Sequence, residues 1–293
     1  MEFSFESVFV RRKDNGKKIF VNRCFCPGSY DAKNLLCVHG LTSSNHVFDL
    51  DYKDYSVARY FARNGYNVWC MDYGGYGLSD KYENGFDVDT ENAAKDVVAV
   101  AREICARQHA DKLNVLGWSW GSMTSARASA MRPELFRRMA WVGPCFGGTL
   151  PSTVVKEPFT TLSYPYCVRV FQRVNGSDTE VDYATVEHGL VSLWVEQGFK
   201  NDAGHGRPNG GNRDISAAGD KWLIEPETVT CPVLLHFGDK DAYVDKGRVK
   251  IALDKLPNGS ACNFMKGAGH ALWVERDYYR PFRERTLAFF EEE

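Results

Sequence analysis

The sequence has 293 residues, a hydrophobic fraction of 44%, a charged fraction of 25% and a formal net charge of −2. These values are typical of a globular protein, and the small net charge argues against the basic face of a nucleic-acid-binding protein. No apolar run is long enough to span a bilayer, and the N-terminal residues lack the basic start and apolar stretch of a signal peptide. The nine cysteines are scattered through apolar segments, so we expect free thiols and a cytoplasmic protein.

The first hundred residues predict a hairpin followed by alternating strands and helices. Asn15-Gly16, between two alternating apolar and polar runs, is typical of a hairpin turn. Short apolar runs predict buried strands, and apolar residues at intervals of three and four predict amphipathic helices. The predicted elements are a hairpin over 3–25, strands over 35–38 and 67–71, and helices over 55–64 and 90–108.

The stretch from residue 113 to residue 130 predicts a strand, a sharp turn and a helix. Its centre reads Gly117-Trp118-Ser119-Trp120-Gly121, which matches the Gly-x-Ser-x-Gly pattern of a nucleophile elbow. Such a turn exposes the serine hydroxyl, and the two glycines let the strand and the helix approach each other. The helix N-terminus offers unpaired N–H groups where an oxyanion would form. Ser119 is therefore the candidate nucleophile.

The remaining elements continue the alternation, except in one segment. Further strands are predicted over 139–143, 232–237 and 261–265, and further helices over 244–256 and 278–291. Strands alternating with helices indicate an α/β protein, with a mostly parallel central sheet covered by helices on both faces. Residues 149–226 show no alternation of strands and helices and contain several prolines and dispersed aromatic residues. We interpret them as an inserted lid between two parts of one core, over 1–148 and 227–293.

A serine hydroxyl needs a base, and His270 is the best candidate among the seven histidines. It lies in a glycine-rich loop directly after the last predicted strand, from which it could reach the other strand ends. His39 is expected to hold loop geometry, His236 to be a core residue and His109 a surface residue. His188 and His205 fall in the predicted lid.

The histidine needs an orienting acid, and the loop after the strand over 232–237 carries two aspartates. Asp241 lies deeper in that loop than Asp239, so we prefer Asp241 and keep Asp239 as the alternative. Both could instead serve only to cap a turn. For the oxyanion, the expected donors are the backbone N–H groups of Trp120 and of Leu41, with Gly40 permitting a tight turn.

These segments resemble proteins of the α/β-hydrolase fold with a lid over a single core. The resemblance rests on His39-Gly40, Asp72-x-x-Gly75-x-Gly77-x-Ser79, the elbow at 117–121, Gly238-x-x-Asp241 and Gly269-His270. It spans nearly the whole chain and keeps the family's order of Ser, Asp and His. It implies a catalytic triad of Ser119, Asp241 and His270, with Leu41 and Trp120 in the oxyanion hole. It also implies a structural role for Asp72.

The resemblance leaves the substrate open. Serine at the elbow argues against haloalkane dehalogenases and epoxide hydrolases, which carry aspartate there. Aromatic residues in the lid favour an apolar or aromatic substrate, although they could equally pack the lid on the core. The candidate substrate contacts are Trp118, His46, Trp194 and Trp273.

The sequence therefore predicts a serine hydrolase that cleaves a carboxylic ester, thioester or lactone through an acyl-enzyme. Acyl transfer and carbon–carbon bond hydrolysis by the same triad remain alternatives, as does a receptor that binds a ligand without turnover. We expect a small-molecule partner, no nucleic acid, no membrane span, no cofactor and no metal, because no metal-ligand cluster or phosphate-binding loop is visible. Homo-oligomerisation stays open.

Overall fold

The computed structural model describes residues 2–28, 32–146, 155–175, 177–202, 206–219 and 221–292. The predicted boundary between core and lid at residues 148 and 149 lies outside these residues, as do the first and last residues of the predicted core and the lid histidine His205.

Eight strands form the central sheet. In sheet order they are β1 (Ser4–Arg11), β2 (Lys18–Phe25), β4 (Tyr66–Met71), β3 (Lys33–Val38), β5 (Leu113–Trp118), β6 (Phe136–Val142), β9 (Val233–Gly238) and β10 (Ala261–Met265). The pairs β1–β2 and β2–β4 are antiparallel, and every later pair is parallel. The predicted mostly parallel α/β sheet is therefore confirmed, with the predicted hairpin forming its first edge.

Helices cover both faces of this sheet. Five of them follow strands of the sheet: α1 (Val57–Arg63), α2 (Thr90–Gln108), α3 (Trp120–Met131), α7 (Lys246–Lys255) and α8 (Tyr279–Glu291). Alternate residues of β3 point to opposite faces, because Leu36 packs in the cluster with α2 and α3 whereas Leu35 packs with α1 and α8. The two apolar clusters hold the parallel strands rigidly between them, and this fixes the positions of the loops that follow each strand.

The ends of α2 agree with its prediction from periodicity. The Asp89 side chain accepts a hydrogen bond from the N–H of Asn92 and so caps the helix start. The helix ends at His109, which has left-handed backbone angles and lies exposed. No helix in the described parts of the chain has both the length and the apolar character of a membrane span.

The chain between β6 and β9, called the insertion below, forms smaller elements. Its described elements are β7 (Phe159–Thr160), α4 (Tyr164–Val168), α5 (His188–Asp202), β8 (Arg207–Pro208) and α6 (Gly210–Ala218). Strands β7 and β8 pair with each other, apart from the central sheet. Helix α5 packs against the core through Trp194, whose ring centroid lies 5.6 Å from that of Trp118. This contact joins α5 to the end of β5, where Trp118 is the last residue.

Candidate active site

Ser119 stands between the end of β5 and the start of α3 with φ 54° and ψ −118°. Such angles are strained for a residue with a side chain, and they persist only where the surroundings enforce them. The N–H of Ser119 donates to the carbonyl of Val142 at 2.8 Å, which fixes the turn to the end of β6. A Cβ atom on Gly117 would lie 2.7 Å from the carbonyl oxygen of Gly121, so this strand and helix can meet only without a side chain there.

The loops after β9 and β10 bring Asp241 and His270 together. The His270 Nδ1 atom lies 2.8 Å from Asp241 Oδ2, and both side chains are buried. The other oxygen of Asp241 accepts the N–H of Tyr243 at 2.8 Å. Asp239 points elsewhere and accepts the N–H of Gly267. Of the two candidate aspartates, Asp241, which the sequence favoured, is the partner of the imidazole, and the alternative Asp239 is not.

Gly143, immediately after β6, makes room for this pair. It has φ +55°, and a Cβ atom there would lie 2.6 Å from His270 Nδ1 and 3.1 Å from Asp241 Oδ2. Because the preceding residue, Val142, holds the N–H of Ser119, the end of β6 touches all three members of the predicted triad. Sequence reasoning missed this position. A glycine at the end of a predicted parallel strand was the one sequence signal for it.

The Ser119 hydroxyl is partly exposed and makes a contact with sulfur. Its Oγ lies 3.9 Å from the Cys145 Sγ, and burial raises the pKa of this thiol to about 12. Between Ser119 and His270, both of which the structure describes, there is no direct hydrogen bond. In ligand-free active sites such bonds are often long and tighten only when substrate binds. The hydroxyl is thus accessible while the imidazole is already oriented by Asp241.

The loop after β3 reaches the elbow because Gly40 has no side chain. A Cβ atom on Gly40 would lie 3.1 Å from the Ser119 Cβ and 3.3 Å from the Trp118 ring. The φ of Gly40 is not positive, so the close approach of the loop to the elbow, and not an unusual backbone conformation, requires a glycine here. The next residue, Leu41, is buried beside the elbow helix.

Trp120 is the first residue of α3, where backbone N–H groups lack partners within the helix. Its indole turns away into the core, where Nε1 donates to Thr90 Oγ1 at 3.0 Å. The ring also packs against Tyr73, with centroids 4.8 Å apart. Trp120 can therefore face the site only through its backbone, as the oxyanion prediction requires.

The four candidate substrate contacts form one buried cluster next to His270. The Trp118 ring lies 4.6 Å from Trp273 and 5.6 Å from Trp194, and Trp194 lies 6.1 Å from His46. The Trp118 indole donates to the carbonyl of His270 at 3.1 Å, which holds the histidine loop. The three tryptophans are at most 2% exposed. These residues form the packed surroundings of the His270 loop, and their contact with substrate stays a prediction.

The remaining described histidines are less suited to act as the base. Burial lowers the pKa values of His39, His46 and His236 to about 3, so these rings stay neutral at neutral pH. His236 is held within the core by Thr286 and Asn263, each at 2.9 Å. His39 donates from Nδ1 to the carbonyl of Gly40 at 2.8 Å, and its Nε2 accepts the N–H of Tyr73 at 3.4 Å. His188 is exposed on the insertion.

Glu275 lies under the histidine loop and was not anticipated from the sequence. Its carboxyl accepts the N–H of Gly269, with oxygens at 3.0 and 3.2 Å, and the amide of Gln172 at 3.2 Å. The side chain is buried, and burial raises its pKa to about 7. Glu275 thus fixes the backbone immediately before His270 without reaching the imidazole partner, Asp241.

Charged residues join the insertion to the glycine-rich loop after β4. Asp202 and Arg207 form a buried ion pair, with Oδ2 and Nη1 2.5 Å apart. Asp202 Oδ1 also accepts the N–H of Gly77 at 2.6 Å and lies 3.5 Å from Lys81 Nζ. Asp72 accepts two backbone N–H groups of the surrounding loops, and burial raises its pKa to about 6. These contacts agree with the structural role expected for Asp72.

The described residues contain no group of three or more His, Cys, Asp or Glu side chains arranged to hold a metal ion. All nine cysteines are free.

Comparison with known proteins assigns the chain to a family. The sequence profile described as alpha/beta hydrolase fold matches residues 33–277. A search of curated proteins found no significant match. Among solved structures, a hydrolase from Pseudomonas aeruginosa PA01 is 13% identical with a TM-score of 0.72, over 98% of this chain and 99% of that chain.

Two esterases are also similar in fold. The esterase from Rhodococcus sp. ECU1013 is 18% identical with a TM-score of 0.66, over 97% of this chain and 98% of that chain. The esterase from Exiguobacterium antarcticum is 16% identical with a TM-score of 0.66, over 98% of this chain and 100% of that chain. At such identities the solved structures show the fold alone, whereas the profile spans most of the chain. The chain belongs to the α/β-hydrolase fold family.

Proposed function

We propose that this protein is a serine hydrolase that cleaves a carboxylic ester, thioester or lactone through an acyl-enzyme. The observation that carries the proposal is the buried His270–Asp241 pair at 2.8 Å, beside a serine held at φ 54°. An imidazole whose Nδ1 is bound to a carboxylate keeps its Nε2 free to take a proton, and the strained turn presents the hydroxyl that would give it.

Each residue has a defined part in this reaction. His270 removes the proton of Ser119 as Oγ attacks the substrate carbonyl, and Asp241 stabilises the imidazolium that forms. The N–H groups of Leu41 and Trp120 bind the oxygen of the tetrahedral intermediate. The imidazolium then protonates the leaving group, and a water molecule deprotonated by His270 releases the acid from Ser119.

The substrate class rests on the elbow and on the fold relatives. A serine nucleophile with a histidine base suits acyl transfer to water, and two of the similar structures are esterases while another is a thioesterase domain from the curacin biosynthetic pathway. We further propose that the partner of this site is a small molecule. Free thiols at all nine cysteines support a cytoplasmic location.

Replacement of Ser119 by alanine tests the proposal. The wild-type protein should hydrolyse p-nitrophenyl esters of some acyl length and react covalently with a fluorophosphonate probe, and Ser119→Ala should lose both. Ser129→Ala is the matched control, because Ser129 Oγ bonds only within α3, to the carbonyl of Ala126 at 2.8 Å. Full ester hydrolysis by Ser119→Ala would overturn the assignment.

The two aspartates provide a second comparison. Asp241→Asn should lower kcat by about 10³-fold or more, because the amide favours the wrong imidazole tautomer. Asp239→Asn makes the same chemical change in the same loop, but Asp239 faces the N–H of Gly267. Its kcat should stay close to that of the wild type. Equal losses in both variants would contradict the assigned pairing.

A further inference from the structure

A cleft with a volume of about 270 Å³ adjoins the imidazole of His270. Its walls come from the loop after β9 and from the segment that follows α4. Three of the side chains that line it are cationic, namely Arg169, Arg173 and Lys240, and Tyr243 lines it as well. The ring centroids of Tyr243 and His270 are 4.7 Å apart. We call this space the cationic cleft.

The positive charges of the cleft are only partly balanced. Arg169 lies near the rings of Tyr166 and Tyr243, at 5.5 and 5.9 Å from their centroids, and it donates to the Tyr243 hydroxyl at 3.4 Å. Within the described residues neither Arg169 nor Lys240 forms an ion pair. Arg173 lies 3.9 Å from the Asp178 carboxylate, but that side chain is fully exposed.

The nearby carboxyl groups are committed to other partners. Asp241 is paired with His270, and Glu275 accepts bonds from Gly269 and Gln172 behind the cleft wall. Asp239 accepts the N–H of Gly267. No carboxylate is among the lining residues. The cleft therefore has a net positive charge at the side of the imidazole.

We propose that the leaving group of the substrate carries a carboxylate or phosphate group and that the cationic cleft binds it. The inference rests on the proposed function, because in that reaction His270 gives its proton to the leaving group. The leaving group must then lie beside the imidazole, and the cleft is the space that His270 itself lines. An anionic oxygen group there meets guanidinium and ammonium donors, which form charge-assisted hydrogen bonds.

The size of the effect follows from the exposure of the cations. Lys240 is exposed and the two arginines are half-buried, so each contact is screened by solvent. An exposed pair of opposite charges changes affinity by up to about fivefold. Three such contacts predict a preference of about tenfold or more for an anionic leaving group, and this preference should fall as salt screens the charges.

A matched pair of esters tests this inference. The butyrate esters of 4-hydroxybenzoate and of methyl 4-hydroxybenzoate share the acyl group and differ in one negative charge on the leaving group. The wild-type kcat/KM should favour the charged ester by about tenfold at low ionic strength. Arg173→Gln and Lys240→Gln should each reduce this ratio about threefold, and their double variant should reduce it further. Lys250→Gln removes the same charge from an exposed position of α7 outside the cleft, and it should keep the wild-type ratio.

Binding of the free leaving groups separates failure of this inference from failure of the proposed function. In calorimetry, 4-hydroxybenzoate should bind the wild-type protein more tightly than its methyl ester, and Arg173→Gln combined with Lys240→Gln should greatly reduce the difference. Equal kcat/KM for two esters that are both cleaved through Ser119, or equal binding of the two phenols, would overturn the cleft assignment. The protein could instead cleave neither ester, fail to react with a fluorophosphonate and still bind 4-hydroxybenzoate selectively. That result would support the anion site and refute the proposed hydrolase function.

Discussion

Gly143→Ala should disable the site while leaving the sheet intact. The added Cβ would stand 2.6 Å from His270 Nδ1 and 2.7 Å from Cε1, well inside an ordinary contact of about 3.5–4.0 Å. The imidazole must therefore move by about 1 Å, and a displacement of that size in a catalytic group costs about 10²-fold in rate. The left-handed backbone at this position adds about 1–2 kcal/mol of destabilisation for a residue with a side chain.

The control for Gly143→Ala is Gly65→Ala. Gly65 has φ +84°, and a Cβ atom there meets nothing within 4 Å, so this variant isolates the backbone cost. We expect both variants to lose stability in chemical denaturation, Gly143→Ala by about 1–3 kcal/mol more because of overpacking. Only Gly143→Ala should lose ester hydrolysis. If its kcat matches that of Gly65→Ala, the explanation of Gly143 as space for the His270–Asp241 pair is refuted.

Two further predictions concern buried charge. The folded pKa of Glu275, about 7, lies above its ordinary value of 4.5, so wild-type stability should fall as pH rises from about 4.5 to 7. Glu275→Gln should lack this fall, so its free energy of unfolding should gain on the order of 3 kcal/mol relative to that of the wild type by pH 7.5. Parallel curves of unfolding free energy against pH for the two proteins would contradict this prediction. Arg207→Met should lower the free energy of unfolding by about 3 kcal/mol, because it leaves Asp202 charged and buried. Adding Asp202→Asn to this variant should restore most of the lost stability in urea titrations. An additive double variant would show that the two side chains do not interact.

The sheet and its helices could be predicted because their signals are local. Helix α2 shows apolar residues at regular intervals along its whole length, and the hairpin shows alternation around an Asn-Gly turn. The order of strands could not be derived in the same way, because β4 lies between β2 and β3 through contacts between distant segments. In the insertion, α4 is only five residues long, and its apolar pattern is too short to show a period.

The same distinction between local and distant signals applies to the residues of the candidate site. Ser119, Asp241 and His270 each follow a recognisable strand, so their approach could be predicted from the topology of a parallel sheet. The sequence favoured Asp241 over Asp239 but left both open, because a difference of two residues within one turn decides which carboxylate faces the imidazole. The role of Gly143 could not be predicted from the sequence, because it arises only where a strand end meets a loop more than a hundred residues away.

Sulfur is a weak hydrogen-bond partner compared with oxygen. With Cys145 at 3.9 Å, the Ser119 hydroxyl has a soft and barely polar neighbour, and burial keeps that thiol protonated. A serine in place of Cys145 would offer a second oxygen that competes for the same proton. In the proposed reaction, Cys145 therefore leaves the imidazole of His270 as the stronger acceptor for the proton of Ser119.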